Sequence, residues 1–156
     1  MIELNLSCPH GMNEKGMGRA CGEDPVLVGD ITKWVVAKAK WPVSVKISPN
    51  YGSPEILADA ALKAGAKAVT LTNTMPSIQD PLPEGSPQFS VGQKDKFYSA
   101  GGGAGSILRP FALKKCSDVA KTVPIEILGS GGIISGDHAL TFLQLGAGCV
   151  QVCSAV

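Results

Sequence analysis

The fold is decided by a ten-residue stretch that occurs twice, LKAGAKAVTL at residues 62–71 and LQLGAGCVQV at residues 143–152. Both copies follow the pattern Leu-x-Ala/Leu-Gly-Ala-x-x-Val-x-aliphatic, which is typical of a helix end, a tight turn at glycine and a buried strand. About two βα units separate the copies. Equivalent βα units along one chain predict a parallel sheet, either a (β/α)8 barrel or a doubly wound sheet.

Strands and helices alternate on both sides of the repeat. We predict strands at residues 2–6, 43–47, 68–72, 125–128 and 149–152. Helix starts are expected at Asp24-Pro25, Ser53-Pro54, Pro110 and Ser135, because capping residues and proline favour the first turn of a helix. The apolar stripes expected to face the core are Leu27, Ile31, Val35 and Ala39 on the first helix, and Leu57, Ala61 and Ala64 on the second.

One connection is much longer than the others. Residues 75–105 are rich in Gly and Pro and show little periodicity. Connections in such units usually take about 2–6 residues. We therefore interpret this segment as a functional flap.

The chain length favours part of a barrel over a complete sheet. Five βα units of an eight-unit barrel of ~250 residues would need about as many residues as the 156 present here. The last predicted strand also ends the chain without a closing helix. We predict a single partial barrel domain over residues 1–156, with strands 4 to 8 and open edge strands, which favour pairing with other chains.

Composition excludes several classes of protein. The net charge is +1, 17% of residues are charged and 5% are aromatic, which argues against a disordered chain and against a nucleic-acid binder. No apolar run reaches the ~18 residues of a membrane helix, and the N-terminal MIELNLS is not a signal peptide, so we expect a cytoplasmic protein. No metal site is expected, because no ligand spacing connects the two histidines and five cysteines: His10, His138, Cys8, Cys21, Cys116, Cys149 and Cys153.

Polar residues follow the predicted strands, where parallel α/β folds bind their ligands. Lys46 ends an apolar strand, which is costly without an anionic or electron-rich partner, although the amine also has the option of extending to solvent. Gly131-Gly132 and the glycines of residues 101–105 precede helices, as in anion-binding turns. The alternative for any single position is an ordinary turn residue.

Two residue types here suit chemistry on a heteroaromatic ring. Asn5 and Asn73 carry amides that donate and accept hydrogen bonds. Cys8 lies in a loop, where a thiol suits proton donation to carbon. The alternative for Cys8 is an incidental loop thiol.

The same positions resemble a known family. The stretch NLSCPHGM at residues 5–12, with GMG at residues 16–18 and ACG at residues 20–22, is similar to the active-site loop of the dihydropyrimidine dehydrogenases. Further matching segments run through essentially the whole chain: KISPN at 46–50, TNT at 72–74, Gly105, Arg109-Pro110, SGGI at 130–133 and QVCSA at 151–155. Class 1 dihydroorotate dehydrogenases of the wider superfamily share NLSCP, but usually have Asn next and lack GMG. His10-Gly11 and GMG therefore favour the pyrimidine-reducing branch.

The resemblance implies FMN-dependent reduction of the 5,6 double bond of uracil or thymine in pyrimidine catabolism. Cys8 is expected to protonate C5 as reduced FMN delivers hydride to C6. Lys46 is expected beside the N1/O2 edge of the flavin. The pyrimidine would be bound by Asn5, Ser7, Asn73 and Thr74, and the rest of the flavin by Gly105, Ser130, Gly131, Gly132, Cys153 and Ser154.

The resemblance also implies a larger enzyme. The full-length protein would be a homodimer with FAD, NADPH and iron–sulfur clusters on domains absent here. We therefore expect the 156-residue chain alone to be nearly inactive and to bind flavin weakly. Two alternatives stay open: a class 1 dihydroorotate dehydrogenase-like enzyme, and a truncated, non-enzymatic interaction module.

Overall fold

The computed structural model describes residues 1–8, 15, 17–79, 99–153 and 155. The strands are β1 Ile2–Asn5, β2 Val43–Lys46, β3 Ala68–Leu71, β4 Met75–Gln79, β5 Ser99–Gly103, β6 Glu126–Ser130 and β7 Cys149–Gln151. The helices are α1 Arg19–Gly22, α2 Pro25–Val36, α3 Pro54–Lys63, α4 Arg109–Thr122 and α5 Gly136–Gln144.

Five strands form one parallel sheet in the order β1-β2-β3-β6-β7. Each new strand is therefore added on the same side of the one before it. A doubly wound sheet reverses direction at a switch point, whereas a (β/α)8 barrel does not. Of the two architectures that the sequence allowed, the strand order selects the barrel.

The two copies of the repeat have the same local structure. Gly65 and Gly146 each follow a helix with positive φ, 98° and 102°, where the lack of a side chain avoids strain. In both copies the next alanine N–H donates back to the helix, Ala66 to Ala61 O and Ala147 to Phe142 O, each at 3.0 Å. In both copies this turn connects the helix to a strand of the parallel sheet, β3 in the first copy and β7 in the second.

The predicted helix starts are confirmed, with one difference at a cap. The carboxylate of Asp24 accepts hydrogen bonds from Val26 N and Leu27 N, and Ser135 accepts one from His138 N. Ser53 is at the N-cap of α3, but its side chain makes no capping hydrogen bond. Pro54 alone therefore marks that helix start.

The predicted buried stripe of α2 is wrong by one residue. The residues that α2 buries are Val28 and Thr32, whereas Leu27 is 36% exposed. Val28 packs in the core with Leu57 and Ala61 of α3, as predicted for that helix. The contact between α2 and α3 thus selects the face of α2, which apolar spacing along α2 alone does not determine.

The long connection contains a β-hairpin that the sequence analysis missed. Residues 75–79 pair antiparallel with residues 99–103, and residues 80–98 lie outside the described part of the chain. Pro76 and the three consecutive glycines have low strand propensity, so the sequence pattern did not predict a hairpin here. Pro76 is tolerated because a two-stranded ribbon has free edges.

The core lies between the outer face of the sheet and the helices. Its fully buried members include Val45, Leu57, Val69, Ile127 and Phe142. In the described part of the chain, no helix is long and apolar enough to cross a membrane.

Candidate active site at the carboxyl ends of the strands

A cleft of about 170 Å³ opens where the parallel strands end. Its lining comes from β2, β6 and β7 and from the segments that follow β3, β5, β6 and β7. The lining residues are Lys46, Thr72, Thr74, Ala104, Gly105, Leu108, Ser130, Gly131, Gly132, Ile133, Ile134, Gln151, Val152 and Cys153. Seven of the twelve residues predicted for the site are therefore in one cleft.

Three further predicted residues form a hydrogen-bonded cluster beside the cleft. Asn73 Nδ2 donates to Asn5 Oδ1 at 3.0 Å and to Ser7 Oγ at 2.8 Å. The Asn73 Oδ1 accepts from Thr74 N at 2.8 Å, which connects this amide cluster to the cleft lining. Asn73 is 7% exposed, and its satisfied side chain fixes the orientation of both amides.

Lys46 joins the amide cluster to the cleft. Its backbone carbonyl accepts a hydrogen bond from Ser7 Oγ at 3.2 Å. Lys46 also pairs with Asn5 in the register between β1 and β2. Its side chain is 24% exposed, and the ammonium lies 3.9 Å from a carboxylate oxygen of Glu3. Among the described lining residues Lys46 is therefore the only one with a cationic side chain, and a carboxylate of the neighbouring strand lies near it.

A tight glycine turn forms the wall of the cleft after β6. Gly131 and Gly132 have φ values of 124° and 67°. A Cβ on Gly132 would lie 2.5 Å from Gly105 O, so only glycine allows this close approach. At Gly105, with φ of 79°, a Cβ would meet nothing within 4 Å. The glycine turn after β6 and the segment at Gly105 therefore present backbone rather than side chains to the cleft, near the start of α5.

The thiols lie on different sides of the site. Cys8 is half-buried in the segment after β1, and Cys153 is exposed at the edge of the cleft. The Cys8 segment is held from behind by α1, because a Cβ on Gly22 would come within 2.6 Å of Leu6 O. Residues 9–14, 16 and 154 lie outside the described residues, so the expectations for His10, Gly11, Gly16 and Ser154 stay predictions.

Sequence reasoning did not include all the residues that the structure brings together. Gln151 and Thr72 line the cleft, and they entered the sequence analysis only as members of matching segments. Glu3 was missed altogether. Its signal was present, because a charged residue alternates with apolar ones in β1, as Lys46 does in β2.

These residues fit part of a flavin nucleotide. The glycine turn leads directly into α5, whose N-terminus favours a phosphate, and Lys46 suits a ring edge that carries negative charge. Clefts that enclose a whole ligand usually measure ~300–1,000 Å³. At about 170 Å³, this cleft encloses only a portion of such a nucleotide.

The fold and sequence match one family. A crystal structure of DHODH in complex with ferulenol from Eimeria tenella has a TM-score of 0.73 to this chain, with 23% identity, over 98% of this chain and 44% of that one. This similarity shows that the fold is part of a (β/α)8 TIM barrel.

Curated relatives share more of the sequence. The catalytic subunit of dihydroorotate dehydrogenase B (NAD(+)) from Methanopyrus kandleri is 40% identical, over 99% of this chain and 47% of its own length. The chloroplastic dihydropyrimidine dehydrogenase (NADP(+)) from Arabidopsis thaliana is 34% identical, over 99% of this chain and 37% of its own. The chain thus spans half or less of these relatives. The family model for dihydroorotate dehydrogenase matches residues 1–156, so the chain belongs to the dihydroorotate dehydrogenase family.

Proposed function

We propose that this chain forms the C-terminal part of an FMN-binding barrel that interconverts dihydroorotate and orotate. The observation that carries the proposal is the amide cluster of Asn5, Ser7 and Asn73, joined through Thr74 to the cleft that contains Lys46. This arrangement supports the proposal, because amides that suit a heteroaromatic ring would lie next to a half-site for a flavin. The relatives with higher identity are dihydroorotate dehydrogenases, which supports this substrate pair over the uracil that the sequence motifs favoured.

The cofactor would occupy the cleft along β6 and β7. The glycine turn at Gly131-Gly132 and the N-terminus of α5 would hold the phosphate, and Lys46 would face the electron-rich edge of the ring. When bound, flavin supplies hydride transfer. Gly105, Ser130 and Cys153 complete the proposed flavin contacts from this chain.

The substrate would bind against the amide cluster. The pyrimidine ring has alternating N–H and C=O groups along its edge, and carboxamides satisfy both types. Asn73 Nδ2 already donates twice within the protein, which fixes its plane and leaves Asn5 Nδ2 turned away from that contact. Because the amides are held before binding, less side-chain entropy is lost when the ring binds.

Cys8 would move the proton at ring carbon C5. In the direction of dihydroorotate oxidation its thiolate accepts the C5 proton, and in the direction of ring reduction its thiol donates one. The same residue would therefore serve both directions, and it directly follows Ser7 of the amide cluster along the chain.

Reduction of uracil or thymine is the second candidate. Two observations favour it: the motif HGM at residues 10–12 with GMG at residues 16–18, and the 34% identity to a dihydropyrimidine dehydrogenase. These motif residues follow Cys8 in the sequence. The two candidates share the site, but orotate carries a carboxylate at ring carbon C6, where uracil and thymine carry hydrogen.

The deciding experiment uses the complete reading frame that encodes this chain. The purified protein is examined for flavin absorption, reduced anaerobically, and mixed separately with orotate and with uracil. Reoxidation by orotate supports our proposal, and reoxidation by uracil alone selects the second candidate. A protein that retains no flavin contradicts both.

Matched cysteine variants test the role of Cys8. Cys8→Ala should lower turnover by about 10²–10⁴-fold while flavin absorption is retained. Cys149→Ala is the control, because Cys149 lies at the opposite end of its strand, away from the cleft. Equal turnover in the two variants would exclude Cys8 as the proton-transfer group.

For residues 1–156 alone we propose little or no turnover and weak flavin binding, because the cleft is only partly enclosed. The alternative, an interaction module, would use the edge strands β1 and β7 of the described sheet. Size-exclusion chromatography separates these cases. A flavin-free monomer argues against the module, and a stable oligomer supports it.

A further inference from the structure

Glu3 occupies an unusual position on the inner face of the sheet. Its carboxylate extends from β1 over the neighbouring strands. One oxygen, Oε2, accepts hydrogen bonds from Thr70 Oγ1 of β3 and from Gln151 Nε2 of β7, the latter at 3.0 Å. The other oxygen, Oε1, lies 3.9 Å from Lys46 Nζ of β2. A single carboxylate thus connects four of the five parallel strands.

These contacts lie directly behind the cleft. Lys46 and Gln151 both line it, whereas Glu3 is not among the described lining residues. Glu3 therefore acts on the cleft through its two neighbours. Its carboxylate lies 3.9 Å from the only ammonium of the described lining and accepts a hydrogen bond from the only carboxamide of that lining.

A contribution to stability alone does not account for this arrangement. The side chains of Lys46 and Glu3 are 24% and 29% exposed, and their ionic atoms are at the outer limit of an ion pair. Partly exposed pairs of this kind contribute little to folding. A charged group bound in the cleft would meet Lys46 at short range, so the neighbouring carboxylate of Glu3 bears on the charge of the cleft more than on folding.

We propose that Glu3 is a positioning residue that fixes Lys46 and Gln151 and sets the net charge of the cleft. The inference rests on the proposed function, since it places the flavin in this cleft. The carboxylate offsets part of the positive potential of Lys46. Removal of its charge leaves that potential uncompensated, which favours a bound group with an additional negative charge. Reduced flavin carries more negative charge than oxidised flavin, so the midpoint potential becomes more positive.

The test uses Glu3→Gln in the complete reading frame, with Glu126→Gln as the matched control. Glu3→Gln keeps an acceptor for Thr70 and removes one charge. Glu126 lies on β6 at the end of the sheet away from the cleft, so its variant removes the same charge elsewhere. We expect Glu3→Gln to bind reduced flavin about tenfold more tightly relative to oxidised flavin, a positive shift of about 30 mV for a two-electron couple. The control should keep the wild-type potential.

A second measurement does not require flavin. The side-chain amide signals of Gln151 in NMR spectra report its hydrogen bond to the carboxylate, and they should shift in Glu3→Gln and stay in place in Glu126→Gln. Glu3→Asp, which keeps the charge but is shorter by one methylene, should shift the amide signals and change the potential less than Glu3→Gln.

The outcomes separate this inference from the proposed function. An unchanged potential in Glu3→Gln, in a protein that binds flavin, overturns the electrostatic role and leaves the proposed function intact. If the wild type binds no flavin, the proposed function fails and the NMR signals decide the positioning role. Unshifted Gln151 signals then overturn it, and shifted signals support it.

Discussion

Glu3 and Gln151 are joined by a 3.0 Å hydrogen bond although they lie on the two outermost strands of the five-stranded sheet. Neighbouring strands are ~4.8 Å apart, so four spacings would separate β1 from β7 by about 19 Å in a flat sheet. Two side chains of this length do not span that gap and still orient for a hydrogen bond. The sheet must therefore curl until its edges face each other, as the strands of a barrel do.

Thr70→Val tests the contact that anchors this carboxylate. Thr70 is fully buried, and its hydroxyl donates to Glu3 Oε2. Valine has a similar shape but no donor, so we expect the free energy of unfolding to fall by about 1–3 kcal/mol. Thr70→Ser keeps the hydroxyl and should lose less. Urea denaturation measures both, and a valine variant as stable as the wild type would contradict the importance of this bond.

Gly132→Ala should damage the cleft, and Gly136→Ala should not. At Gly132, φ is +67° and a Cβ would lie 2.5 Å from Gly105 O. The conformational cost alone is about 1–2 kcal/mol, and the turn must also shift away from Gly105. At Gly136, in the first turn of α5, a Cβ would meet nothing within 4 Å, so alanine should be neutral or stabilise by up to about 1 kcal/mol. Thermal unfolding and flavin retention distinguish the two variants, and equal behaviour would contradict the role proposed for the glycine turn at Gly131-Gly132.

Local patterns determined the parts of the fold that were predicted correctly. The turn at Gly65 and Gly146 depends only on residues near in sequence, and so do the caps at Asp24 and Ser135. Strand order and the buried face of α2 depend on contacts between distant segments, which no local pattern contains. The repeat and the chain length limited the possible architectures to a partial barrel or a doubly wound sheet. The strand order then selected the barrel.

The residues of the candidate site fall into the same two groups, those suggested by local sequence and those that depend on contacts between distant segments. Polar residues and glycines at or just after strand ends are readable from the sequence, which is how Lys46, Asn73 and the glycine turn were selected as candidates. The contacts of Glu3 are different, because its partners lie on β3 and β7 and come within reach only when the sheet is curled. The β4–β5 hairpin was hidden for another reason, since its glycines and Pro76 have low strand propensity.

The five cysteines should react with iodoacetamide at very different rates. Cys149 and Cys153 are exposed, whereas Cys116 is fully buried, and burial raises its pKa to about 12. Because only the thiolate reacts, Cys116 is protected twice, by low access and by low ionisation. Mass spectrometry of labelled peptides should find Cys149 and Cys153 modified first and Cys116 modified only in urea. Early labelling of Cys116 in the native protein would contradict its place in the core.

Lys115 gives the protein a pH-dependent contribution to stability that increases with pH. Its side chain is buried on α4 and donates from Nζ to Tyr51 O at 2.8 Å. Desolvation lowers its pKa below 10.5, although the nearby Asp118 and Glu55 oppose the shift. The unfolded chain therefore binds this proton more tightly than the folded chain, and stability rises with pH between the lowered pKa and 10.5.

Comparison with Lys115→Met isolates this contribution. Methionine has a similar length and no charge, so the variant lacks the titration but keeps Cys116, whose raised pKa acts in the opposite direction in both proteins. We expect the wild type to gain stability relative to the variant as pH rises from the lowered pKa of Lys115 toward 10.5. Urea denaturation at several pH values measures the difference in unfolding free energy. A difference that stays constant, or that falls with pH, would show that the folded protein does not disfavour the charged form of Lys115.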